Sequence, residues 1–204
     1  MTRRVVAYPR VVVRWSPDAR GRLGRAAFEL FAEQGFSATT VPEITARAGL
    51  TTRTFFRHFA DKREAFFAGD EIPDLARHAL ASAPAGLDPV TLLEQGLRQV
   101  ARDHFDDRRE EVRVRRALVD AEPALRERDA QKRADLVAVI RPGLEARGVA
   151  PLDAALLAEL TVLVLHVALD QWLDDPDPPS MADVVSACFV RLRAVLEPRP
   201  DGVL

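Results

Sequence analysis

An all-α fold follows from three features of the chain. Apolar residues recur at helical rather than alternating spacing, capping pairs and first-turn prolines stand where the apolar runs begin, and no segment competes as a strand. With 204 residues and 48% hydrophobic content, the chain can form a small N-terminal module joined to a larger helical domain.

Residues 1–15 are rich in Val and Arg, carry Pro9, and precede the first credible cap at Ser16-Pro17. They are expected to form a basic arm. The flexible arm either enters a DNA minor groove or is a disordered tail or the product of an upstream-misassigned start codon.

Residues 40–59 hold the most informative pattern. Thr40 and Glu43 have the spacing of a capping box, and Pro42 lies in the first turn, where its missing N–H breaks no helical bond. Gly49 suits the left-handed residue that ends a helix, and Thr51 caps the next helix almost at once. Two short helices and a turn of about three residues result, a helix-turn-helix. Val41, Ile44, Ala48, Leu50, Phe55 and Phe59 supply the apolar side, leaving Thr52, Arg53, Thr54, Arg57 and His58 as the polar face of the second helix. Such a helix fits the DNA major groove. Arg53 or Arg57 can bond two acceptors of guanine, and Thr52 can donate to phosphate or touch a thymine methyl.

The distribution of charge agrees. Residues 1–62 hold eleven Lys or Arg against five Asp or Glu, whereas residues 63–204 hold eighteen against twenty-six, within a net charge of −2. Arg3, Arg4, Arg10, Arg14, Arg20, Arg22 and Arg25 precede the motif, so a phosphate-binding surface is expected there, with the acidic remainder pointing away.

The rest of the chain reads as helix. Asp61 and Glu64 form a second capping box for a helix running to about Leu80, which a Pro/Gly break over 82–88 ends. Asp88-Pro89 opens a helix to Phe105, and 109–121 forms another up to Pro123. A helix over 124–147 should be kinked or interrupted by Pro142 and ended by Gly148. The next, over 152–173, is apolar on most faces; the last starts at Ser180, paired with Asp183, and runs to about Leu196.

Over about 50 residues the chain resembles the TetR family of bacterial transcription regulators. Phe28, Phe31, Gly35, Phe36, Thr39, Thr40, Val41, Ile44, Ala48, Gly49, Thr54, Phe55, His58, Phe59 and Lys62 sit where that family's pattern expects them. The resemblance implies a three-helix DNA-binding domain over 17–34, 41–48 and 52–58, then a fourth helix opened by Lys62, for about nine helices in all. It implies domains over 1–15 (arm), 16–61 (DNA binding), 62–198 (ligand sensing and dimerisation) and 199–204 (tail). Thr40, Thr51, Thr52, Arg53, Thr54, His58 and Lys62 become DNA-contact candidates beside Arg57, with Lys62 on phosphate. Phe56 replaces the family's usual tyrosine, so it can pack at the DNA but cannot donate a hydroxyl.

The resemblance also implies a small-molecule pocket in the second domain. Apolar candidates for its wall are Phe66, Phe67, Leu93, Leu97, Phe105, Leu118, Ile140 and Trp172, each also open to a core-packing reading. Polar candidates are Arg113, Arg116, His104, His166 and Asp170; His166 and Asp170, one turn apart, either place a ligand group or form a buried pair. The Arg-rich helix over 109–121, the Pro123-Ala124-Leu125 junction and the late Trp172 resemble family members that sense fatty-acyl or other lipophilic compounds.

The expected function is a sequence-specific regulator, a repressor released from a palindromic operator on double-stranded DNA by a lipophilic inducer. A ligand-independent architectural DNA-binding protein is the alternative. A homodimer through the helices over 152–173 and 180–196 is expected, with Leu192 in the interface. Four scattered histidines and no nucleophile, metal or phosphate-loop motif give no catalytic residues, no metal and no cofactor. Cys188 reads as a packed thiol. With no signal-like segment and an uncharged run near 160–169 too short to span a bilayer, a cytoplasmic protein without a membrane segment is expected.

Overall fold

The computed structural model describes residues 18–69 and 72–196, and these are helical with no strand among them. The expected arm and tail lie outside the described residues. The elements are α1 (Ala19–Gln34), α2 (Val41–Ala48), α3 (Thr52–His58), α4 (Lys62–Phe66), α5 (Ile72–Ser82), α6 (Pro89–His104), α7 (Arg109–Ala121), α8 (Pro123–Glu145), α9 (Pro151–Asp174) and α10 (Met181–Leu196). A 3-10 turn, Asp106–Arg108, leads into α7.

Most starts are set by the capping chemistry the sequence displays. Thr40 accepts from the Glu43 N–H while Glu43 accepts from the Thr40 N–H, and Asp88 accepts from the Thr91 N–H at 2.8 Å. Ser180 accepts from the Asp183 N–H at 3.1 Å. At α1 the cap is Asp18, bonded to the Gly21 N–H; Ser16 and Pro17 lie outside the described residues.

Three expectations are corrected. The helix from Lys62 to Leu80 is two helices, because Gly69 takes a left-handed φ of 82° and Pro73 is tolerated only in the first turn of a new helix. Pro142 does not interrupt α8, which continues to Glu145. There α8 lies so close to α5 that a Cβ on Gly143 would meet Leu80 Cδ1 at 2.7 Å. By length and composition alone α9 is apolar enough to cross a bilayer, contrary to the reading of its uncharged run. Within the fold it is the central helix, burying Ala154, Ala158, Thr161, Leu165, Ala168 and Trp172 along one stripe against α6, α8 and α10.

Two apolar clusters result. The first joins Leu23, Ala27, Phe31, Ile44, Phe55 and Phe66, and also takes Val119 of α7 and Leu125 of α8. The second gathers Leu93, Leu97, Ile140, Leu144, Trp172, Val185 and Phe189. Consequently the α7–α8 corner is packed into the core of the helix-turn-helix.

Candidate nucleic-acid interface and internal cavity

The recognition helix is presented by its buried neighbours. Phe55 is fully buried and Phe59 nearly so, which turns Thr52, Arg53, Phe56 and Arg57 outward; Phe56 is 59% exposed. Gly49 adopts φ 63° and ψ 38°, and the Leu50 N–H closes the turn on Thr45 O at 2.9 Å. Thr51 accepts from the Thr54 N–H at 3.2 Å, with the two hydroxyls 3.0 Å apart. Thr40, Thr51, Thr52, Arg53, Phe56 and Arg57 are exposed, and Thr54 and His58 half-buried. Bonds from the side chain and N–H of Thr40 hold the Glu43 carboxyl below its ordinary range, keeping the cap ionised.

Several cations of this module are bonded within the fold, among them Lys62, Arg20 and Arg22 of the expected phosphate contacts. Lys62 donates to Phe36 O at 2.6 Å and Thr39 O at 2.9 Å, with its ammonium 4.2 Å from the Phe36 ring. Arg20 donates to His58 O and lies over Phe59, Arg22 donates to Ala48 O, and Arg47 pairs with Glu33 and Glu29. Carbonyls at helix C-termini lack intrahelical partners, so Arg20 and Arg22 satisfy those of His58 and Ala48. Arg25, in contrast, is exposed.

A cavity of about 270 Å³ lies beneath this unit, bounded by the turn after α4, the start of α5, the end of α6 and parts of α7, α8 and α9. Of the expected pocket residues, Phe67, Phe105, Arg116, His104 and His166 line it. The others are elsewhere. Phe66 belongs to the first core cluster with Leu118 packed against it, and Leu93, Leu97, Ile140 and Trp172 are in the second, because the apolar periodicity that nominated them marks core and cavity alike. Arg113 is outside, bound to Glu110 and Leu173 O, and Asp170 stands behind Arg116 at 2.9 Å.

The sequence did not single out the walls supplied by Ile72, Arg108, Val112, Arg115, Asp129 and Arg133. Asp129 and Arg133, paired at 2.6 Å one helical turn apart, look like any solvated α8 pair until the fold turns them inward. His166 Nδ1 donates to Val162 O at 2.7 Å, and burial pushes the pKa of the ring down, so the ring is neutral near pH 7 with Nε2 as an acceptor.

Arg115 connects cavity and helix-turn-helix. It lines the cavity, donates to Phe66 O at the end of α4, and lies 4.8 Å from the rings of both Phe28 and Phe66. Two further links cross the same boundary: Arg128 to Glu64 at 2.5 Å, and the Ser37 hydroxyl to the Glu122 carboxylate at 3.4 Å.

Residues 24–68, which contain this recognition unit, match the profile of the bacterial regulatory proteins of the tetR family. Over these residues the chain is similar to the TetR family. It is 40% identical over 82 residues to the HTH-type transcriptional regulator TcmR of Streptomyces glaucescens, a match covering 40% of this chain and 36% of TcmR. It is 33% identical over 91 residues to the HTH-type transcriptional activator FasR of Mycolicibacterium smegmatis, covering 45% and 34%. The matches thus span about a third of the length of these curated relatives. The fold of the chain is similar to that of FadR from Bacillus halodurans, a fatty acid degradation regulator, at a TM-score of 0.60 and 17% identity over 90% of this chain and 98% of that one. It is also similar to FadR from Thermus thermophilus, a repressor solved with lauroyl-CoA, at 0.56 and 21% over 91% and 98%.

Proposed function

We propose that this chain is a dimeric, sequence-specific DNA-binding regulator, a repressor released from its operator when a lipophilic small molecule enters the cavity. The observation that carries the reading is the outward face of α3. Thr52, Arg53, Phe56 and Arg57 are exposed on a helix whose opposite side is locked by Phe55 and Phe59, with the Thr51 cap exposed beside them. Arg53, near the helix N-terminus, is the base reader, and Arg57, Thr51, Thr52 and Thr40 bind the phosphates beside it. Phe56 makes an apolar contact there, Thr54 and His58 complete the edge of the surface, and Lys62 acts by fixing the loop before α2.

Dimerisation follows from the apolar surface left on α9 and α10. Leu152, Leu156, Leu163 and Val167 form one exposed stripe on α9, and α10 exposes Val190, Val195 and Leu196. Two copies joined about a two-fold axis bury it and place two α3 helices on successive major grooves, about 34–36 Å apart. Leu192 is displaced from the interface, since it packs against the chain's own core.

Release runs through the α7–α8 corner. A ligand that favours a different placement of Arg115 shifts α4 and the helix-turn-helix with it, and differential affinity for the two placements is all that is required. Selection of fragments from a random DNA pool tests the reading. Enrichment of a two-fold symmetric site is expected. Salt-sensitive binding with no enriched sequence would favour the architectural alternative.

A further inference from the structure

We infer that the cavity takes a monoanionic amphipath of about ten non-hydrogen atoms in all, an apolar body ending in a single carboxylate, with Arg108 as the residue that pairs with that carboxylate. This rests on the cavity being the sensor site, as proposed above, and adds the chemical class of what it senses.

Volume sets the size. At about 30 Å³ per water-sized group, 270 Å³ holds about nine such groups. Phe67, Phe105, Val112, Leu136, Leu165 and Leu169 give the walls an apolar character, so most of the ligand must be apolar as well.

Charge sets the head. Arg115 is held by Glu111 at 3.3 Å, Arg133 by Asp129 at 2.6 Å, and Arg116 by Asp170 and Asp120. Among the described residues Arg108 is the lining arginine with no carboxylate within 4.0 Å; its guanidinium meets His104 Nδ1 at 3.5 Å, and its side chain is on the exposed side of the cavity. An entering carboxylate can therefore pair with Arg108 without dismantling another ion pair. An ammonium would have to take Glu111 or Asp129 from its arginine, and a neutral head would leave the charge-assisted bond unmade. His166, neutral near pH 7, adds no charge.

Calorimetric titration of the full chain with octanoate, octanol and octylamine tests the assignment. Octanoate should bind at least about tenfold more tightly than either analogue, equivalent to about 1.4 kcal/mol. Arg108→Met should erase that preference and Arg108→Lys should restore most of it. Val112→Trp, which fills the cavity, should abolish binding of all three while DNA binding persists, showing that the variant is folded. Octanol binding as tightly as octanoate, or a preference that survives Arg108→Met, would overturn the carboxylate assignment. So would the absence of all binding by a chain that still selects its DNA site. A chain that binds octanoate as described but selects no DNA sequence would support the assignment and overturn the regulatory reading alone.

Discussion

Arg53 and Lys62, nine residues apart, differ in what holds them: Arg53 is exposed, whereas Lys62 donates to two backbone carbonyls. Arg53 is exposed, so Arg53→Ala should leave stability unchanged and lower affinity for the selected site by about 1–3 kcal/mol, with a smaller loss on random DNA. Lys62→Met removes two charge-assisted bonds to carbonyls and should lower unfolding free energy by about 1–3 kcal/mol, read from denaturant midpoints. A stable Lys62→Met protein that has lost one unit of salt slope would return Lys62 to the phosphates. His166 supplies a pH prediction with a definite sign. Its folded pKa lies below the ordinary 6.5, so between the folded value and 6.5 the unfolded chain binds the extra proton, and stability falls as pH drops through that window. Between pH 7 and 5.5 melting temperature should decline in the wild type and more shallowly in His166→Gln. Parallel curves would show that His166 is not the titrating group.

At the scale of elements, start signals were legible and side-chain destinations less so. The Thr40–Glu43 and Ser180–Asp183 pairs and Asp88-Pro89 mark their helix starts because each cap is a local hydrogen bond, decided within four residues. Gly69 and Pro73 announced the break after α4 equally plainly, but the run from Ala65 to Leu80 keeps helical spacing across it and conceals it. Which apolar residues of α9 and α10 are covered depends on tertiary packing, and thus Leu192 reads as interface although it lies against the core. The distinction is measurable by light scattering and thermal unfolding. Leu163→Glu, on the 54% exposed stripe position, should yield folded monomers. Leu192→Glu should instead reduce stability by about 2 kcal/mol or more. The reverse pattern would relocate the interface.

For the whole molecule, the family resemblance and the basic segment over 1–62 pointed to the helix-turn-helix, whereas the cavity's polar wall was hidden because α8 shows no strong apolar face in sequence. In the proposed route of release the two regions are joined by Arg115, whose side chain reaches from the cavity to Phe66 O. Arg115→Met should speed hydrogen exchange at the α4 amides about fivefold, leaving those of α2 unchanged; equal rates in both proteins would remove Arg115 from the route. The central claim is that α3 reads bases as one half of a symmetric pair. Fluorescence anisotropy of the selected site against a scrambled duplex, at a fixed salt concentration, addresses it most directly. The account predicts at least about a thousandfold preference, reduced about tenfold or more by Arg53→Ala. Equal affinity for the two duplexes, in wild type and variant alike, would contradict it.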